Sequence, residues 1–294
     1  MRSDILIREA LEKCEVLKKA GLWPNESRMR PRAWLENFDD EDRSTAAYLL
    51  SKFTYYNNDL TERLLKASYQ SIGDELPKKE SNSGGKLIDA LESAIFVPVS
   101  GEKPNPTDSG YLFCRKARQI LRIPEERIKN LNESIEHAAK GNTVIFLDDF
   151  IGSGDQFLKS WGRIHNSHSL KSLIEKNYFE AIYITLISTD YGLNEIKRNA
   201  PKVSICCPHI LCKEATVNHI LEKYDSTSQK VEDLLEKYYP RLKPKDDYMY
   251  TTPYLKYGYK ERGLMLGFDH SIPDATLPIF WSPGDNWEPL IERT

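Results

Sequence analysis

The chain has 294 residues, a net charge of −3 at neutral pH, and 40% hydrophobic and 29% charged residues. These values are typical of a globular protein that forms one large domain or two smaller ones. The small net charge excludes a protein that coats nucleic acid over its whole surface, although it allows a local basic patch. No apolar run approaches the roughly 18 residues of a membrane span, so we expect no membrane contact.

The cysteines indicate the cellular compartment. Their number is odd and their spacing fits no disulfide framework; they are Cys14, Cys114, Cys206, Cys207 and Cys212. Free thiols of this kind predict a reducing, cytoplasmic compartment, and the N-terminus lacks the hydrophobic core of a signal peptide. The cluster near the third of these cysteines lacks the paired spacing of zinc ligands, so we predict no metal there.

The first part of the chain reads as helical. Apolar residues recur at helical spacing between residues 4 and 76. The Lys-, Ser- and Gly-rich stretch 78–85 that follows is typical of a linker. We therefore predict two segments: residues 1–86, a helical region with its linker, and residues 87–294, an α/β domain with a C-terminal extension.

Strands and helices alternate after this linker. Apolar runs predict strands at 95–99, 144–147, 181–187 and 203–206. The alternation predicts a mostly parallel sheet with flanking helices. Because ligands of such sheets bind beside the carboxyl ends of the strands, the residues that follow each strand are the candidates for a functional site.

The strand at 144–147 carries the strongest functional signal. It runs directly into a pair of carboxylates and a short loop, and a helix is predicted to begin near Gln156; the residues concerned are Asp148, Asp149, Gly152, Ser153 and Gly154. Loop amides and a helix N-terminus suit an anion, and the carboxylates suit sugar hydroxyls or a cation such as Mg²⁺. An ordinary strand–loop–helix unit with surface carboxylates is the alternative interpretation.

This stretch resembles the phosphoribosyl-diphosphate (PRPP) motif of type I phosphoribosyltransferases, in which two acidic residues lead into a Thr/Gly-rich phosphate loop. The resemblance implies that Asp148 and Asp149 act catalytically on the ribose and that the loop Gly152–Gln156 holds phosphate. Asp155 departs from the family, which has a small uncharged residue there, and Gln156 replaces its usual Thr. A carboxylate near a phosphate costs about 1 kcal/mol or more, so the motif predicts the fold more strongly than the PRPP ligand.

The loop after the first predicted strand is a second candidate. In phosphoribosyltransferases this loop holds pyrophosphate through backbone amides, so the resemblance implies that role for Ser100, Gly101 and Lys103. A simple proline-rich connection is the alternative. Arg115, on the next predicted helix, is a candidate contact for an anion unless it is merely solvated. We detect no long flexible lid before the strand at 144–147, which argues against ordinary nucleotide salvage.

A tyrosine- and lysine-rich segment spans residues 238–262. Aromatic rings can stack on single-stranded bases while lysines contact phosphates, and the candidate contacts are Lys243, Lys245, Tyr248, Tyr250 and Lys256. A packed connection over the sheet, with lysines reaching to solvent, is the alternative interpretation.

The Trp34…Phe38 element, the Asp-Asp-x-x-x-Ser-Gly strand end and the Pro/Trp-rich segment 270–293 together extend the resemblance over most of the chain. They resemble bacterial phosphoribosyltransferase-like proteins of conflict and antiphage systems, including effectors associated with some retrons. The resemblance implies an effector or accessory protein with a protein partner, which binds a nucleotide or ribose phosphate and, if catalytic, acts at ribose C1′. A catalytically inactive fold that binds protein or nucleic acid and a conventional PRPP-dependent enzyme stay open as alternatives.

Overall fold

The computed structural model describes residues 2–75, 91–100, 108–244 and 251–293. The chain forms two compact units. One comprises Met1–Asn58 together with Cys212–Thr294, and the other comprises Asp59–Leu211.

These units are not the two consecutive segments 1–86 and 87–294 of the sequence-based division. The first unit is discontinuous, because the helices that precede residue 58 share one hydrophobic core with the C-terminal segment. The predicted linker at 78–85 lies outside the described residues.

The elements alternate along the chain as expected for an α/β protein. Those of the N-terminal part are α1 (Arg2–Lys19), α2 (Pro31–Glu36), α3 (Arg43–Lys52), β1 (Thr54–Tyr56), α4 (Asn58–Gln70) and α5 (Ile72–Glu75). Those of the central part are β2 (Ile95–Pro98), α6 (Ser109–Ile120), α7 (Leu131–Ala139), β3 (Val144–Leu147), β4 (Phe150–Ile151), α8 (Asp155–Gly162), α9 (Leu170–Glu175), β5 (Ala181–Ile184), β6 (Ile187–Thr189), α10 (Asp190–Asn199), β7 (Val203–Cys206) and β8 (His209–Leu211). Those of the C-terminal part are α11 (Val217–Leu221), α12 (Ser226–Tyr238), α13 (Thr252–Tyr257), β9 (Leu266–Phe268) and α14 (Pro278–Trp281).

The unit Asp59–Leu211 contains the main sheet. Its four strands are parallel and lie in the order β2-β3-β5-β7, with Ile95 opposite Val144 and Val144 opposite Ala181. A parallel three-stranded sheet in the order β4-β6-β8 follows directly along the same chain segments. The predicted α/β class with a mostly parallel sheet and flanking helices is thus confirmed.

Helices pack on both faces of this sheet. On one face Phe146 contacts Phe157 of α8, with the two ring centroids 5.1 Å apart, within a core that also includes residues of α7, α9 and α10. On the other face Phe96 meets Tyr69 of α4, with centroids 6.5 Å apart. Helix α4 therefore belongs to the sheet-containing unit, because its amphipathic sequence buries one face against the strands.

An aromatic core holds the other unit together. Trp34 is fully buried, stacks on Phe280 at a centroid distance of 5.2 Å and donates its indole N–H to the Ile279 carbonyl at 2.7 Å. Strand β1 pairs in parallel with β9, which places Thr54 opposite Leu266. The N-terminal helices and the Pro/Trp-rich segment are thus one packing unit. Within the described ranges, no helix combines the length and hydropathy needed to cross a bilayer.

We expect Trp34→Ala to lower the free energy of unfolding by about 3–5 kcal/mol, because it opens a cavity and leaves the Ile279 carbonyl without its donor. Urea unfolding followed by far-ultraviolet circular dichroism measures this change. Tyr224→Ala is the control, since that ring is 90% exposed and should matter by less than about 0.5 kcal/mol. Equal stability of the two variants would contradict the assigned core.

Candidate functional site

The site begins where β3 ends. The residues of β3 are fully buried, and the Asp148 N–H still donates to the Ile184 carbonyl of β5 at 3.1 Å. Two residues, Asp148 and Asp149, separate the end of β3 from the start of β4, where strand pairing resumes. The Asp149 carbonyl accepts from the N–H groups of Leu186 and Ile187 at 3.3 and 3.2 Å. Backbone hydrogen bonds therefore fix both aspartates at the interruption of the sheet.

The side chain of Asp148 is enclosed by donors from three segments. It is 2% exposed, and its Oδ1 accepts from the Ser109 hydroxyl at 3.1 Å and from the Asp149 N–H at 3.0 Å. Its Oδ2 accepts from the Tyr183 hydroxyl at 3.1 Å. These contacts place the start of α6, the end of β3 and the middle of β5 around one carboxyl group.

The aspartates are electrostatically linked. Burial, and then the charge of neighbouring Asp149, raise the pKa of Asp148 well above its ordinary value of 3.8. Burial and the Asp148 charge likewise raise the pKa of the Tyr183 hydroxyl. Burial and the repulsion between the two neighbouring carboxyl groups therefore favour the protonated form of Asp148 relative to an exposed aspartate. Such a pair offers both a hydrogen-bond donor and several acceptors.

The glycine loop packs closely against α10. Gly154 has φ +81°, a left-handed conformation that favours glycine, and a Cβ there would lie 3.0 Å from the Ile196 side chain. A Cβ on Gly192 would lie 2.6 Å from the Gly152 carbonyl oxygen. The Thr189 hydroxyl donates to that carbonyl and accepts from the Gly192 N–H at 2.9 Å. The loop is thus held by the capped start of α10.

Helix α8 starts at Asp155, one residue earlier than predicted. The Asp155 N–H donates to the hydroxyl of buried Ser153 at 3.3 Å, while Gln156 is exposed. A carboxylate in the first turn interacts favourably with the helix dipole. Asp155 thus supplies the helix with part of the negative charge that a bound anion would otherwise bring.

The loop after β2 is described only at its start. Ser100 is buried, and its carbonyl accepts from the Ser160 hydroxyl at 3.3 Å. Gly101 and Lys103 lie outside the described residues, while Arg115 is exposed on α6. The predicted pyrophosphate contacts of this loop stay predictions.

The basic and aromatic segment is held largely by ion pairs within its own unit. Lys256 is 8% exposed and pairs with Glu232 and, at 2.7 Å, with Glu236. Lys243 is more exposed and pairs with Asp285. The carboxylates of Glu232 and Glu236 are 36% and 60% exposed and compete with any phosphate for the Lys256 ammonium group, and the nucleic-acid contacts of this segment stay predictions. Three further predicted contacts lie outside the described residues: Lys245, Tyr248 and Tyr250.

Tyr183 is a site residue that the sequence did not predict. It lies inside an apolar strand, and its spacing from Asp148 along the chain carries no motif. The sequence does place a tyrosine within a fully buried apolar strand. The hydroxyl of such a tyrosine needs a hydrogen-bond partner, which is the one indication of its role. Because β5 pairs with β3, the Tyr183 hydroxyl lies within hydrogen-bond distance of Asp148.

The parallel sheet, its flanking helices and the acidic strand end before a glycine loop define a phosphoribosyltransferase-like α/β protein. More particularly, the family model PRTase-CE matches residues 31–293, and the chain belongs to that family. Among solved structures, the chain is similar to the AQ2163 protein from Aquifex aeolicus, with 16% identity and a TM-score of 0.32 over 60% of this chain and 79% of that chain. A search of curated proteins finds no match.

We expect the Asp148→Asn variant to gain stability relative to the wild type as pH rises. The native carboxyl binds its proton more tightly than the unfolded one, so its stabilising contribution is complete below about pH 3.8 and is lost as pH rises through the native pKa. Asparagine cannot ionise and escapes this loss. Urea unfolding from about pH 5 to about pH 9 should show the difference in the free energy of unfolding shifting toward the variant as pH rises.

Glu180→Gln is the control for this pH series, because it changes an exposed carboxyl that lies outside any helix. It should follow the wild type at every pH. A constant difference between Asp148→Asn and the wild type would contradict the raised pKa.

We also expect Gly192→Ala to destabilise the protein by about 1–3 kcal/mol, because the new methyl group meets the Gly152 carbonyl and cannot be accommodated without moving the loop. Gly162→Ala is the matched control, since a Cβ at that position of α8 meets nothing within 4 Å. Denaturant midpoints compare the two variants. The control should equal or exceed the wild type in stability, given the better helix propensity of alanine.

Proposed function

We propose that this protein is a cytoplasmic effector or accessory protein of a bacterial antiphage system that binds a nucleotide or a ribose phosphate at the carboxyl end of β3. The observation that carries the proposal is the pair Asp148 and Asp149, which is fixed at a sheet interruption and followed, after the two residues of β4, by the loop Gly152–Gly154. A sugar and an anionic group attached to it need these two neighbouring features.

The aspartate pair suits the vicinal hydroxyls of ribose. A diol donates two hydrogen bonds and also accepts them, and a carboxylate beside a protonated carboxyl offers the matching acceptors and donor. Ser109 and Tyr183 already donate to Asp148, so we assign that residue chiefly to orienting Asp149 and holding the shared proton. Asp149 then makes the principal contact with the sugar.

The loop and the start of α8 are the proposed site for the anionic group. Backbone N–H groups at the first turn of a helix attract phosphate, but the carboxylate of Asp155 opposes it. The oxygen donors of Asp149, Ser153 and Asp155 are of the hard type that Mg²⁺ prefers. In this proposal Asp149, Ser153 and Asp155 would hold Mg²⁺, whose charge would offset the repulsion between Asp155 and the ligand. PRPP is one candidate among ribose phosphates.

Turnover, where it occurs, takes place at ribose C1′ by transfer or by cleavage of a glycosidic bond. Positive charge then develops on the sugar ring, and an ionised carboxylate held nearby stabilises it. The antiphage role and a protein partner in a defence complex rest on the resemblance of the Trp34…Phe38 element and the C-terminal segment to proteins of such systems, together with membership of the PRTase-CE family.

Titration calorimetry with PRPP, NAD, AMP and ATP, each with and without Mg²⁺, tests the binding site. We expect binding of at least one ligand in the micromolar range, weakened at least about tenfold in the Asp148→Asn/Asp149→Asn variant by the loss of charge-assisted hydrogen bonds. Glu180→Gln is the matched control, because it removes an exposed carboxylate beside the amino end of β5, at the opposite edge of the sheet. Undiminished binding by the double variant would refute the site.

A second candidate function is binding without catalysis. Two observations favour it: Asp155 stands in the first turn of α8, and the oxygens of Asp148 already have donors within the protein. Assays for released pyrophosphate and free base, run with every ligand that binds, separate the two functions. Binding without either product across all bases indicates the inactive fold, whereas pyrophosphate release from PRPP indicates a conventional phosphoribosyltransferase.

A further inference from the structure

Tyr183 contacts both halves of the proposed ligand site. The sugar half is the pair Asp148 and Asp149, and the anion half is the loop Gly152–Gly154 with the start of α8. The Tyr183 side chain is 1% exposed, and its hydroxyl donates to Asp148 Oδ2 at 3.1 Å. The face of its ring stacks on Phe157 of α8, with the centroids 4.4 Å apart and 16° between the planes. One buried side chain therefore reaches the sugar half with its polar end and the anion half with its ring.

The hydroxyl of Tyr183 fixes the sugar half. Asp148 Oδ2 accepts from Tyr183, while Asp148 Oδ1 accepts from the Asp149 N–H at 3.0 Å. Both oxygens belong to one planar group, so rotating Oδ2 away from the tyrosine also rotates Oδ1 away from the Asp149 amide. Among the residues that the structure describes, Asp148 is the one hydrogen-bond partner of this buried hydroxyl, and breaking the contact leaves a donor unsatisfied. Tyr183 thus holds the backbone of Asp149 through Asp148.

The ring of Tyr183 fixes the anion half. Phe157 is the third residue of α8, so its N–H is one of those at the helix start that have no partner within the helix. The Phe157 ring also stacks on Trp161 at 5.7 Å and meets Phe146 of β3 edge-on at 5.1 Å between centroids. The first turn of α8 therefore cannot move relative to the strands without breaking several aromatic contacts.

We propose that Tyr183 is a positioning residue that aligns the carboxylate of Asp149 with the start of α8. The inference rests on the ligand site proposed above and adds a residue too buried to touch the ligand. A ligand whose sugar and anionic group are covalently joined needs the two halves of its site at a fixed separation. Because one rigid ring serves both halves, that separation is set before the ligand binds, and less ordering is required on binding.

Titration calorimetry with AMP and ATP, each compared with its dideoxy form that lacks both ribose hydroxyls, tests this role in the presence of Mg²⁺. In the wild type the two hydroxyls should strengthen binding at least about tenfold, because they bond a charged group. Tyr183→Phe keeps the ring and removes only its hydroxyl. This variant should reduce the tenfold advantage to less than about threefold and leave the affinity for the dideoxy forms unchanged, since only the sugar contacts depend on Asp149.

Phe157→Leu tests the anion half. It removes the ring that stacks on Tyr183 at the start of α8, so it should weaken each nucleotide and its dideoxy form by the same factor, about threefold. Tyr178→Phe is the matched control, because it makes the same chemical change at a tyrosine that is 51% exposed. The control should bind every nucleotide as the wild type does. Thermal unfolding midpoints show whether each variant is folded.

A measurement without ligand separates failure of this inference from failure of the ligand site. Amide hydrogen exchange followed by NMR should show the Asp149 N–H exchanging at least about fivefold faster in Tyr183→Phe than in the wild type, while the amides of α9 keep their rates. If the wild type binds none of the nucleotides, the ligand site fails, and the exchange rate still decides whether Tyr183 fixes Asp149. Unchanged exchange at Asp149 overturns the positioning role. So does a Tyr183→Phe variant that weakens a nucleotide and its dideoxy form equally.

Discussion

The buried carboxyl group of Asp148 is the constraint around which the sheet-containing unit is arranged. A carboxyl removed from water needs hydrogen-bond donors, and Ser109, Tyr183 and the Asp149 N–H supply them. These donors come from the segments after β2, within β5 and at the end of β3, so one side chain ties three neighbouring strands together. A buried hydroxyl without a hydrogen-bond partner would cost about 1–3 kcal/mol. The hydroxyls of Ser109 and Tyr183 therefore depend on the Asp148 carboxyl group as much as it depends on them.

The main sheet is interrupted at the position of this carboxyl group. Strands β3, β5 and β7 each stop, and pairing resumes two residues later in β4, β6 and β8. The Asp149 carbonyl accepts from two N–H groups across the break, so the interruption leaves its backbone hydrogen-bonded. Functional groups at such a break are held by a rigid scaffold. The glycine loop that follows packs closely against the start of α10, which the Thr189 side chain caps.

The other unit is organised by the packing of aromatic rings. Aromatic rings from α2, α12 and the C-terminal segment contact one another, including Phe38 with Tyr238 at 4.9 Å and Phe38 with Trp287 at 5.3 Å between centroids. Burial of such large rings stabilises this unit, whose described strands form a two-stranded sheet. Lys256 of the Tyr-rich segment pairs with Glu232 and Glu236 within this same unit.

The sequence by itself determined the central strands, the acidic pair and the glycine loop, because a buried apolar run and a turn leave short-range patterns that can be read locally. It did not determine what surrounds those residues. Ser109 and Tyr183 reach Asp148 from 39 and 35 residues away, and Trp34 packs on Phe280 from the far end of the chain. Contacts between distant segments have no period or spacing, so only the tertiary structure decided that Asp148 is surrounded by hydrogen-bond donors, that Lys256 is buried, and that the two ends of the chain share one core.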